Sequence, residues 1–147
     1  MKERFRAYIA VYLVLEEDGK ILMGKRQNTD YQNGSYSLVS GHLEGGESSR
    51  DGLIREVKEE IGIDLEKQDL EVIHVLHRYR TDREYFCIFI KASKYEGGIV
   101  NLEPEKCAEL AWLDKNNLPE NIAPEVKLAL DKIEEGEFFN EDGFGKK

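Results

Sequence analysis

An α/β fold with a mixed β-sheet between helices is what this 147-residue sequence predicts. Three observations lead there: several short apolar runs closed by turn residues, two segments with helical apolar spacing, and length enough for one hydrophobic core. Helices interspersed with strands bury their apolar stripes on the two sides of the sheet.

Phe5 to Leu15 reads as a buried strand, and Asp18-Gly19 as a turn into a second strand, Ile21 to Lys25, so the two form a hairpin. Gln27 to Ser35, rich in Asn, Asp and Gly, is a loop leading to a short strand, Tyr36 to Val39. A helix follows, capped by Ser48 with Asp51 three residues on, striped by Leu53, Ile54, Val57 and Ile61, and stopped at Gly62 with Ile63 beyond it. Gly52 is out of place there, since glycine inside a helix costs about 1 kcal/mol against alanine; close approach of another backbone or a ligand accounts for it, and so does plain tolerance. Leu70 to Leu76 and Tyr85 to Ala92 read as strands joined through the basic stretch HRYRTDRE, and Leu110 to Leu113 as a short one. A second helix runs from Pro124 to Glu135, with Val126, Leu130 and Ile133 on one face and Gly136 as its stop. The tail, residues 137–147, is expected to fray in part, with Phe138 and Phe139 available to dock.

Residues 1–147 read as a single domain. Apolar residues at 40% and charged residues at 35% exclude a disordered chain, and the longest apolar run, Ala7 to Leu15, is too short to span a membrane. With no targeting signal and only Cys87 and Cys107, the expected setting is the cytoplasm and no disulfide framework. A net charge of −9 disfavours a nucleic-acid polymer as partner and leaves small anions open.

Glu56, Glu59 and Glu60 share one helix face. Each like-charged pair costs about 0.2–0.5 kcal/mol, and carboxylates in a helix's last turn meet the negative end of its dipole at about 0.3–1 kcal/mol each. A divalent cation offsets this directly, and hard oxygen donors select Mg²⁺ or Mn²⁺.

Gly41, then Glu47, then Arg55-Glu56-Val57, Glu59-Glu60 and Gly62-Ile63, at these spacings, are similar to the complete Nudix box over residues 41–63, and the surrounding element order also looks like a Nudix domain. The resemblance implies an α/β/α sandwich that hydrolyses nucleoside diphosphates linked to another group X, with Mg²⁺ as cofactor and Mn²⁺ as substitute. It implies Glu56, Glu59, Glu60 and the Gly41 carbonyl as ligands, and an Arg55–Glu47 pair that orients the helix. Glu56 is the first choice of general base, with a downstream residue as alternative, and Glu105 is an extra ligand or base with Glu103 its close rival.

By the same resemblance Arg26 can reach substrate phosphate, and Asn121 lies where MutT-like members carry base-recognising side chains. The stretch NLEPEKCAELAWLDKNNLP looks like that of the family's nucleoside triphosphate pyrophosphatases, so the expected substrate is a (deoxy)nucleoside triphosphate, damaged or not, cleaved to monophosphate and pyrophosphate. Rivals are a dinucleoside polyphosphate hydrolase, members of which tend to carry a tyrosine where Tyr79 falls, a nucleotide-sugar hydrolase, and a nucleotide-binding regulator. The proline typical of ADP-ribose-specific members is absent after the box. Homodimers are common in the family. His42 reads first as a loop histidine, His74 and His77 lack metal spacing, and Trp112 and Cys87 read as core residues.

Overall fold

Val11, Leu13 and Leu15 face one way and Ala10, Tyr12 and Val14 the other, and all six are buried, so this stretch must lie inside a sheet covered on both sides. The computed structural model, which describes residues 2–145, places it so. Strand β1 (Tyr8–Val14) is followed by β2 (Glu16–Glu17), β3 (Lys20–Arg26), β4 (Tyr36–Ser37), β5 (Ser40–His42), helix α1 (Ser49–Ile61), β6 (Leu70–Arg80), β7 (Arg83–Ala92), β8 (Cys107–Asp114), helix α2 (Pro124–Glu134) and β9 (Phe139–Asp142). The main sheet is mixed, in the order β5-β1-β7-β6-β9, with β1 parallel to β7 and β6 parallel to β9. One core, built on Val11 and Leu13, packs against Leu53, Val57 and Ile61 of α1; the other, built on Ala10 and Tyr12, packs against Val126 and Ala129 of α2. The expected α/β layering is therefore present. Among the described residues no helix is long and apolar enough to cross a membrane.

A second, antiparallel sheet joins β2, β3, β4 and β8, and this corrects the predicted hairpin. Asp18 (φ 51°) and Gly19 (φ 76°) do make the tight turn, but β3 pairs with the two residues of β2, whereas β1 pairs with β5 and β7. An element apolar on both faces takes a central place, and the chain changes sheets after it. The basic stretch is not a connection either. Its residues continue β6 and β7 to a two-residue turn at Thr81-Asp82, and strand alternation puts Arg78 and Arg80 on the face shared with Tyr85.

The tail differs most from expectation. Residues 139–142 add a parallel edge strand to β6, and the left-handed Gly143 (φ 87°) comes so close that a side chain there would strike the Tyr79 carbonyl. His74, fully buried, donates from Nδ1 to the Glu137 carbonyl (3.0 Å), and its other ring nitrogen lies 2.6 Å from the Asn140 side chain. A buried ring nitrogen stripped of its partner costs about 1–3 kcal/mol. Asn140→Ala is expected to lower unfolding free energy by about that amount in urea titration, with an unchanged m-value.

Candidate active site

The carboxylates of α1 owe their position to the opposite side of the helix. Ser48 Oγ accepts the Asp51 N–H (3.1 Å), the left-handed Gly62 closes the far end, and Leu53, Val57 and Ile61 are buried against β1 and β5. At about 1.5–3 kcal/mol each, those apolar residues outweigh the carboxylate repulsion of tenths of a kcal/mol per pair, so the helix is held without a cation. Gly52 is explained by packing: a Cβ there would collide with Leu43 and crowd Glu47. Gly41 on β5 is explained by the site itself, because a Cβ would occupy the space of the Glu56 carboxyl group.

Arg55 organises the acidic side chains. Its Nε and Nη2 donate to the two Glu47 oxygens (2.7 and 3.0 Å), Nη1 donates to Glu56 Oε1 (2.9 Å), Glu59 lies 3.5 Å away, and Nη2 also reaches the His42 carbonyl (3.3 Å). The bidentate guanidinium holds the Glu47 carboxyl down at about 2, aided by the Glu44 N–H, and Arg55 is itself raised by Glu47.

Glu60 is the exception. Its Oε2 is buried with no hydrogen-bond partner, and burial, then the neighbouring Glu56, Glu103 and Glu59, push its pKa well above the usual carboxylate range. Glu103 reaches this place because backbone bonds from Val100 N to the Ile61 carbonyl and from Leu102 N to that of Glu60, both 3.0 Å, bind its segment to the end of α1. Glu105 does not join it: exposed in the turn before β8, it is not among the cleft-lining residues, where Glu103 is. Among the described residues no three His, Cys, Asp or Glu side chains already surround one point, Glu56 and Glu59 being drawn to Arg55. An orphaned buried carboxylate oxygen beside a glycine cradle and further acidic oxygens nonetheless fits Mg²⁺ or Mn²⁺ in its donor chemistry.

The cleft holding these groups encloses about 750 Å³, and its other wall is basic. Arg26 lines it, with Nε on the Tyr31 carbonyl (2.8 Å) and Nη2 near Thr29 (3.4 Å). Asn121 does not line it and spends its amide on the Gly34 carbonyl (2.9 Å). His42 faces the cleft beside Tyr8 and Tyr85, while Tyr79 packs near Phe144 outside it and Trp112 is half-buried against the core. Sequence reasoning missed Arg78, Arg80, Tyr12, Tyr31 and the buried Glu125, all lining the cleft. Tyr12 and Tyr31 donate to the two Glu125 oxygens (3.1 and 3.0 Å), and Arg78 Nη2 donates to the Tyr31 hydroxyl (3.0 Å). Two arginines spaced two apart on a strand were the available signal. Cys87 also lines the cleft, where burial pushes its thiol up to about 12.

The NUDIX domain family model matches residues 4–133. The chain belongs to the Nudix family. It is 28% identical to an ADP-ribose pyrophosphatase of Methanocaldococcus jannaschii (88% of this chain, 77% of that protein) and 27% identical to an NAD-capped RNA hydrolase, NudC, of Vibrio atlanticus (88% and 45%). It thus spans under half of the latter. A 54-residue stretch is 41% identical to a CTP pyrophosphohydrolase of Escherichia coli (37% of this chain, 40% of that protein). Among solved structures, a MutT NUDIX hydrolase of Burkholderia pseudomallei superposes with a TM-score of 0.78 at 22% identity, over 86% of this chain and 98% of that one, which shows the fold. The Nudix box of this chain is therefore the carboxylate helix with the loop before it.

Gly41 has ordinary backbone angles, so Gly41→Ala tests only the crowding of Glu56. A misplacement of about 1 Å in an active site costs on the order of 100-fold, and with Glu56 in the role proposed below kcat/KM is expected to fall at least that far while circular dichroism stays native.

Proposed function

We propose that this Nudix hydrolase cleaves a (deoxy)nucleoside triphosphate to monophosphate and pyrophosphate, with Mg²⁺ held by Glu56, Glu59, Glu60, Glu103 and the Gly41 carbonyl. The observation that carries the reading is the unpartnered, buried Glu60 oxygen across one cleft from a row of arginines: a place for a cation facing a place for an anion. When bound, the cation neutralises phosphate oxygens and lowers the pKa of the attacking water. Glu56, fixed by Arg55 at 2.9 Å, accepts the water's proton, and Arg55 and Glu47 act as a brace that keeps α1 aligned with β5. The arginine wall holds the substrate's negative charge so that the bond to be broken stays over the carboxylates. The net charge of −9 supports a small nucleotide over a polymer, and a cytoplasmic setting belongs to the same reading.

A nucleotide panel with phosphate and pyrophosphate release measured separately tests the substrate. Pyrophosphate from triphosphates supports it; phosphate alone, or cleavage confined to ADP-ribose, to which the Methanocaldococcus relative points, overturns it. Glu60→Gln is expected to lower kcat by about 10³-fold or more with the fold retained, as monitored by thermal melting.

Metal affinity carries a pH signature. Glu60 has a raised pKa and must lose its proton to bind a cation, so affinity rises with pH until that raised value is passed. Titration calorimetry with Mg²⁺ from pH 6.5 to 8.5, in buffers of different ionisation enthalpy, is expected to show tightening and net proton release; affinity that weakens with pH contradicts the assignment.

A further inference from the structure

We infer that Arg80, seated on the ring of Tyr31, anchors a substrate phosphate additional to the two joined by the cleaved linkage, and so sets which nucleotides the cleft prefers. The inference rests on the hydrolase reading above and concerns a different end of the site.

The other cleft arginines already have partners within the protein. Arg26 is bound to the Tyr31 carbonyl and Thr29, Arg78 to the Tyr31 hydroxyl with Glu125 and Asp142 near, and Arg83 to Asp82 and the Tyr85 hydroxyl. Arg80 has no hydrogen bond or ion pair among the described residues; it lies over the Tyr31 ring, 4.4 Å from the centroid. The ring cannot swing away easily. Its carbonyl accepts from Arg26 and from Thr29 Oγ1 (2.8 and 2.9 Å), and its hydroxyl is held at 3.0 Å by both Glu125 and Arg78.

Stacking uses one face of a guanidinium and leaves every N–H edge free. A nucleobase on the opposite face would make no use of those donors, whereas phosphate oxygens, acceptors only, engage them in pairs. Position then separates this anion from the reacting one. Helix α1 packs on β5 and β1, and Arg80 stands on β6, three strand spacings from β5, which is about 14 Å.

That phosphate is either the terminal one of a triphosphate or one carried on a ribose. Titration calorimetry in Mg²⁺ distinguishes them with two pairs: α,β-methylene ATP against α,β-methylene ADP, and NADP⁺ against NAD⁺. The wild type is expected to bind the extra phosphate about 10–100-fold more tightly in at least one pair. Arg80→Gln should abolish that preference, Arg80→Lys should retain part of it, Tyr31→Leu should mimic Arg80→Gln, and Tyr31→Phe, which keeps the ring, should retain it. Equal affinities within both wild-type pairs, or an Arg80→Gln variant of native melting temperature that weakens both members of a pair alike, overturns the inference; a preference that survives Tyr31→Leu removes the role given to the ring. These are binding measurements, so the affinities decide the matter even where no hydrolysis is detected.

Discussion

Everything in the acidic end of the cleft depends on one guanidinium. Arg55 sits on the helix that carries the carboxylates and grips Glu47 from the preceding loop with two hydrogen bonds, while touching Glu56, Glu59 and the backbone of His42. Three consequences follow from that placement. The loop is tied to the helix, the strand with Gly41 is tied to both, and part of the repulsion among the acids is cancelled before any cation arrives. Planar, bidentate contact matters here, because a flexible ammonium group could supply the charge without the alignment.

The cleft is bipolar because two secondary structures with different periods meet at its ends. Helical spacing gathers acids at positions three and four apart on α1, and strand alternation sends Arg78 and Arg80 to one face of β6. Between them the sheet acts as a ruler, with Ala10 and Tyr12 on β1 and Tyr85 and Cys87 on β7 forming the floor. The buried Glu125, delivered by the first turn of α2, would be costly alone; with two tyrosine hydroxyls and Arg78 around it, it stiffens the basic end instead.

How much of this was legible in the sequence follows from the distance along the chain over which each part is assembled. The box could be read because its members fall within residues 41–63 and their spacing is that of one helix and its cap. The basic wall could not be read as a unit, since Arg26 on β3, Arg78 and Arg80 on β6 and Glu125 on α2 come from distant parts of the chain and three of them meet at Tyr31, which no local pattern announces. Glu105 and Glu103 stand two residues apart in a turn that has no period, and there the backbone bonds to α1, invisible in the sequence, decide which one faces the cleft. Asn121 looked available because a sequence does not say that the Gly34 carbonyl will claim its amide. The tail misled for a related reason: few apolar residues promised a docked strand, yet its contribution is backbone pairing and two partners for His74.

That last strand has a bearing on how the protein is made. During synthesis β6 leaves the ribosome long before residues 137–142, so the imidazole of His74 must wait without its native partners while the rest of the sheet assembles. The edge strand is therefore added to the sheet late, and a nascent chain stalled short of Asn140 would present an open sheet edge to its neighbours on the polysome.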